Sequence, residues 1–298
     1  METDFRLCRL TGGTEPLTRR RGNTDAMSDT TLESLLRRDR VVVVAALLVM
    51  TGLAWGYILW LAGNMNMDAM PKSDMTGMGA MLAPAFRPWN ATDFVVMFVM
   101  WTVMMVGMMT PSATPMIMMY ASIGRQGAHQ ARPLAATGFF AGGYLLAWTA
   151  FSLVATLGQW LLERAALLTP MMATANAVLG AAVLIAAGLF QWTPVKDACL
   201  RHCQTPVGFI VQHGGFRHDA FGSLALGFRH GGYCIGCCWA LMALLFVGGV
   251  MNILWIAGLT IYVLLEKVFP LGRMVSRAAG AGLLAWGVWL LINTLLKG

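Results

Sequence analysis

"FVVMFVMWTVMMVGMMTPSATPMIMMYASIG", residues 94–124, runs for 31 residues without an Asp, Glu, Lys or Arg. At about 1.5 Å per residue, a helix of this length outreaches a hydrocarbon core about 30 Å thick. The stretch therefore reads as a membrane span, and similar apolar runs recur along the chain. Composition agrees. The 298 residues are 57% hydrophobic and 12% charged, with mean hydropathy +0.64, whereas ordinary soluble domains carry roughly 25% charged residues. Abundant Gly and Ala suit close helix approach in lipid better than they suit strands. The expected fold is all-α: a polytopic transmembrane helical bundle of about seven spans.

The first run, "VVVVAALLVMTGLAWGYILWLAG" at 41–63, follows a polar tail over 1–39 that shows no sustained period and reads as disordered. It is too long for a cleavable signal, and no small-residue cleavage site follows it. The second span begins near Asp93; Pro111 and Pro115 lie inside it and predict a kink or a broken helix. Further spans are expected over 134–162, 172–193, 233–250, 252–266 and 278–296, with "VGGVMN" as a tight turn between the fifth and sixth. A polar interval, 194–232, separates the fourth from the fifth and holds most of the histidines. The transmembrane domain is thus 40–298, with an outer loop over 64–91.

Basic residues orient the bundle. With the N-terminus in the cytoplasm, Arg37, Arg38, Arg40, Arg125, Arg132, Lys196, Arg201, Arg217, Arg229, Lys267, Arg273 and Arg277 lie inside. Only Lys72, Arg87, Arg164 and Lys297 lie outside. Twelve against four is a positive-inside bias. The formal charge of +7 is spent on these flanks, and no basic stripe with interleaved aromatics suggests nucleic acid. The lipid bilayer is the expected surrounding.

The outer loop "GNMNMDAMPKSDMTGMGAML" places Met65, Met67, Met70, Met75, Met78 and Met81 among Asn, Asp, Gly, Lys and Ser. Thioethers are soft, neutral ligands suited to Cu(I). A Met-rich segment lying on the membrane surface would look similar. Inside the second span, Met97, Met100, Met104 and Met108 fall on one helix face, and Met105 and Met109 repeat the step beside them. Met116 follows the prolines. Either these side chains fill irregular contacts or they form a thioether path for a soft ion; an interrupted span would strengthen the second reading.

The thiols form two groups. "CLRHC" supplies Cys199, His202 and Cys203; "RHGGYCIGCC" supplies His230, Cys234, Cys237 and Cys238. Cys199 and Cys203 are one helical turn apart, and Cys234 with Cys237 has the C-x-x-C spacing of a metal chelate or a redox pair. His213 and His218 are weaker candidates, and Cys8 is isolated in the tail. On the cytoplasmic face the thiols stay reduced, which disfavours a structural disulfide. Small buried cysteines also serve as plain packing.

The segments "MMVGMMTPSATPMI", "QWTPVKDACLRHCQTPVGF" and "GFRHGGYCIGCCWALMALLFVGGVMNILWIAGLTIYVLLEKVFP" resemble a bacterial family of predicted metal-binding integral membrane proteins. The similarity covers about 93–270. It implies a multi-pass protein of the bacterial cytoplasmic membrane. Part of that family is linked to copper supply for copper oxidases such as tyrosinase, a polyphenol oxidase.

The expected function is therefore binding of a soft metal, most readily Cu(I), for transport or for delivery to a copper-dependent partner. Zinc also suits the Cys/His set. No G-x-x-x-x-G-K-[ST] loop or P-type ATPase signature is present, so a transporter or chaperone without nucleotide hydrolysis is expected rather than a catalyst. A quinone-linked thiol oxidoreductase is the enzymatic alternative, and an assembly subunit of a membrane complex is the structural one. Glu266 and Lys267 either pair with each other or gate.

Overall fold

The computed structural model describes residues 21–64, 89–126, 133–169, 172–217 and 219–297. The outer-loop methionines Met65, Met67, Met70, Met75, Met78 and Met81, together with Cys8 and His218, lie outside the described residues. Among the described residues the elements are helices: α1 (Arg21–Asn64), α2 (Ala91–Gln126), α3 (Pro133–Arg164), α4 (Ala177–Phe190), α5 (Pro194–Gln204), α6 (Pro206–Gln212), α7 (Ala220–Ala243), α8 (Leu245–Gly248), α9 (Ile253–Val268) and α10 (Gly272–Lys297). Residues 43–298 form one compact unit and 1–42 another. The all-α expectation holds.

Local chemistry explains where these helices start. Asn90 and Asp93 cap α2 reciprocally: the Asn90 side chain accepts from Asp93 N at 2.8 Å, and Asp93 accepts from Asn90 N at 3.1 Å. Asn176, Thr193, Asp219 and Asn252 each accept a backbone N–H at the start of α4, α5, α7 and α9. Pro194 and Pro206 occupy the first turns of α5 and α6, where a missing N–H costs nothing. Gly249, at φ +90°, turns the chain between α8 and α9, as "VGGVMN" predicts.

Five stretches are long and apolar enough to cross a membrane: Val41–Gly63, Ala91–Arg125, Leu134–Arg164, Ala220–Gly248 and Gly272–Leu296. The expected fourth and sixth spans come out short. α4 has 14 residues and α9 has 16, or about 21 and 24 Å of helix. α4 and α5 bend by 65° across a short break, and taking them as one broken span brings the number to six. The polar interval 194–232 holds α5, α6 and the first turns of α7. Its scattered charges conceal an amphipathic helix followed by the start of a span.

The prolines do not break α2, which is helical through Pro111 and Pro115. Neighbouring hydroxyls bond back to the same stretch of backbone. Thr110 donates to Val106 O at 2.6 Å, Ser112 to Met109 O at 2.9 Å and Thr114 to Thr110 O at 3.0 Å. These bonds satisfy the hydroxyls within the helix itself, so three polar side chains beside the prolines need no partner outside it.

The tightest seam joins α3 and α7. A Cβ at Gly227 would collide with the Phe140 carbonyl, and one at Gly143 with the Leu224 carbonyl. One at Gly231 would lie 2.5 Å from Ala147 Cβ. Gly227 and Gly231 thus form a small-xxx-small strip against Gly143 and Ala147, and the two backbones touch. Both residue series ascend together, so the helices run in the same direction, which fits α4 and α5 crossing between them as one broken span. Outward faces carry Val95, Val96, Val154, Leu161 and Trp289, all exposed. That apolar surface suits acyl chains and not water.

Gly227→Ala is expected to cost about 1–3 kcal/mol through this collision, read as a lower thermal unfolding midpoint in detergent micelles. Gly232→Ala, one position past the seam and facing open space, is expected to leave the midpoint unchanged or raise it. Equal behaviour of the two variants would show that the seam does not hold the helices.

Candidate metal centre

The methionine stripe of α2 faces inward. Met100, Met104, Met105, Met108, Met109 and Met116 are all buried, and Met97 is half-buried against the same core. The stripe reaches α7 through Tyr144 of α3. Tyr144 Oη lies 3.2 Å from the Met109 carbonyl, to which it can donate, and 3.2 Å from Cys234 Sγ. The α3–α7 seam sets this bridge, since Tyr144 follows Gly143 directly and lies against Gly231.

On α7, Cys234, Cys237 and Cys238 are almost fully buried. Cys237 and Cys238 donate to the Cys234 carbonyl at 3.1 and 2.9 Å. α5 packs across α7 and brings the other thiols. Cys203 hydrogen-bonds with Cys234 and Cys237, and Cys199 Sγ rests over Gly236, where a Cβ would lie only 2.8 Å away. The two sequence groups therefore do meet. The described cysteines are all free thiols.

The histidines divide. His230 is buried one turn before Cys234, ringed by Phe140, Tyr144 and Phe209, and its Nδ1 has no hydrogen-bond partner among the described residues. A buried, unpartnered ring nitrogen on the face of a thiol cluster fits a soft or borderline ion. His202 stacks on Tyr233 at 4.3 Å with Nδ1 against the Ala198 carbonyl, which leaves Nε2 as its ligand atom. His213 bonds the Phe209 carbonyl instead, and lines a cavity of about 490 Å³ with Cys199, Arg229, Gly232 and Tyr233. Through Cys199 that cavity borders the thiol cluster. Among the described residues, no three His, Cys, Asp or Glu side chains already hold chelate geometry. Two of the thiols are turned to a carbonyl, and ligation requires them to rotate.

Charge placement was the part that sequence reasoning missed. Glu266 and Lys267 do not pair with each other. Successive residues on a helix point about 100° apart, and here each finds a different partner. Lys196 of α5 meets Glu266 at 2.6 Å and also bonds Gln191, whose Oε1 accepts from Ser276 at 2.9 Å. Lys267 turns to the thiols, with Nζ 2.8 Å from Cys234 Sγ and 3.3 Å from Ser112 Oγ. Lys196, Glu266 and Lys267 are all buried. Tyr144 and Ser112 carry no motif, and only tertiary contact marks them. Lys267, a charge at the end of an apolar run, was the one legible signal.

A family model described as "PpoB2: Copper chaperone" matches residues 98–290. No curated protein and no solved structure matches the chain.

Breaking the buried Lys196–Glu266 pair by Glu266→Gln is expected to cost about 3–5 kcal/mol. Replacing both by methionine is expected to restore most of that loss. A double-mutant cycle by thermal unfolding should give a larger coupling for Glu266 with Lys196 than for Glu266 with Lys267. The reverse order would refute this pairing.

Proposed function

Because the chain belongs to the PpoB2 copper chaperone family, we propose that it is a multi-span protein of the bacterial cytoplasmic membrane that carries Cu(I) inward along thioethers to a thiol cluster. The observation that supports this reading best is the Tyr144 hydroxyl, which sits between the Met109 backbone carbonyl of α2 and Cys234 and so sets the thiols beside the helix that carries the buried methionines. In this reading the N-terminus is cytoplasmic, 1–39 is a tail that is helical from Arg21 onward and not without structure throughout as expected, 40–298 is the membrane domain, and Met65, Met67, Met70, Met75, Met78 and Met81 collect the ion outside. Met97, Met100, Met104, Met105, Met108, Met109 and Met116 conduct it. Cys199, Cys203, Cys234, Cys237 and Cys238, with His202 and His230, receive it.

Ligand chemistry orders the steps. Neutral thioethers bind Cu(I) weakly enough to pass it on, and thiolates bind it more firmly. Two thiolates on one Cu(I) carry a net charge of −1, and Lys267 supplies the matching +1 beside Cys234. A closed ion group of this kind escapes most of the penalty of a lone buried charge. Ligation displaces the thiol protons, so the S–H bonds to the Cys234 carbonyl are given up as the ion arrives. The cavity beside Cys199 offers a copper-dependent protein, such as a polyphenol oxidase, an approach to the bound ion.

Protein purified anaerobically under reducing conditions and reconstituted with Cu(I) is expected to retain copper by elemental analysis. The Cys234→Ser, Cys237→Ser, Cys238→Ser triple variant is expected to lose most of it. Zinc retained in preference to copper would overturn the metal assignment. A deletion strain grown at low copper is expected to show reduced activity of a copper oxidase, and wild-type activity there would count against delivery. Cysteine-labelling from each side, with Cys199 inaccessible from the cytoplasm, would invert the orientation and favour the thiol-redox alternative.

A further inference from the structure

Toward the start of α2, about three turns before its contact with the thiol cluster at Met109, a second group of soft donors surrounds Gln159. This residue is fully buried in the last turns of α3. Its Oε1 accepts from Trp101 Nε1 at 2.7 Å, which fixes the amide plane. Its Nε2 then faces three acceptors: Glu163 Oε1 at 2.8 Å, Met172 Sδ at 3.4 Å and Met97 Sδ at 3.8 Å. An amide nitrogen carries two hydrogens. Three acceptors around a two-proton donor leave lone pairs in surplus, directed at one point in the interior. The remaining carboxylate oxygen of Glu163 accepts from Trp89 Nε1 at 2.7 Å, so the carboxylate is held as firmly as the amide.

Met172 adds an independent observation. Its backbone sits at φ +54°, in the left-handed region that favours glycine. The turn is closed by Met172 N donating to Thr169 O at 2.8 Å, and the Leu168–Thr174 bridge flanks it. A glycine would make this turn without strain. The methionine instead sends a buried sulfur against Gln159.

We propose that Met97, Met172 and Glu163 form a binding site for a soft monovalent cation, Cu(I), which takes the place of the Gln159 amide. Two thioethers select a soft ion over Mg²⁺ or Ca²⁺, and a single carboxylate neutralises a single positive charge. The site adjoins Trp89, directly after the methionine-rich loop, and Met100 and Met104 continue from it along α2. Met97 and Met109 are separated by about 18 Å of helix, so this site is distinct from the thiol cluster. The inference rests on the copper reading above for its ion but not on the thiols.

The test is a titration of the full chain in micelles with Ag(I), a redox-inert soft cation, followed by NMR of ¹³C-methyl methionine. Met97→Leu and Met172→Leu assign the two signals. Both are expected to shift together along one binding curve. Glu163→Gln is expected to weaken that curve by more than the roughly 10–100-fold typical of an outer-shell partner of a metal site. Signals that stay still, or that shift independently, while the Met65–Met81 signals saturate would overturn the proposal. Met172→Gly is expected to abolish the Met97 shift, and a Met97 shift that persists in that variant would remove Met172 from the site. Repeating the titration in the Cys234, Cys237, Cys238 serine variant separates the two readings. An unchanged response, with copper retention lost only at the thiols, upholds both sites. A response in a protein whose thiols prove irrelevant to copper leaves the outer site standing alone.

Discussion

The contact on which the rest depends is backbone against backbone, where Gly227 and Gly231 of α7 meet Phe140, Gly143 and Ala147 of α3. In lipid, helices gain nothing from hiding apolar side chains, so close approach and polar links must hold them. The seam supplies the close approach. It also places the side chains next to it, since Tyr144 adjoins Gly143 while His230 adjoins Gly231. Cys234 is one turn further along α7. Spread these helices by the width of one methyl group and the tyrosine no longer bridges Met109 to Cys234.

Around that seam the interior carries more charge than an apolar bundle tolerates without arrangement. Lys196 and Glu266 neutralise each other within a cage completed by Gln191 and Ser276. Asp197, the next residue on α5, faces the other way and takes Arg273 at 2.8 Å. α5 is thereby tied to α9 through one charge and to α10 through its neighbour. These ties hold the helix that presents Cys199 and Cys203. Among the described residues Lys267 turns to the sulfurs, meeting Cys234. A buried ammonium calls for a negative group beside it, which is the role the proposed function gives to the thiols.

The fold was legible where periodicity and length act locally. Uninterrupted apolar runs marked the long helices, and capping residues such as Asn90, Thr193 and Asn252 stand where helices begin. The misread regions were those in which a helix carries both kinds of residue. α5 is amphipathic and sits between two prolines, and α7 begins with residues that read as polar linker. Of the kink or break that the prolines of α2 suggested, the break is absent, and Thr110, Ser112 and Thr114 bond to carbonyls of the same helix beside them. Pattern reasoning assigns those hydroxyls no role.

The candidate centre divides in the same way. Residue type and spacing alone determined that this chain is an apolar helical protein with soft ligands in four groups, because ligand chemistry and helix period are properties of a local stretch. Only the tertiary structure decided which of them meet. It brought "CLRHC" to "CIGCC", turned Lys267 away from Glu266 and toward Cys234, and set Tyr144 between sulfur and carbonyl. It also gathered Gln159, Glu163 and Met172 around Met97. Those contacts join residues far apart in the chain, and their geometry follows from helix crossing, which no local pattern encodes.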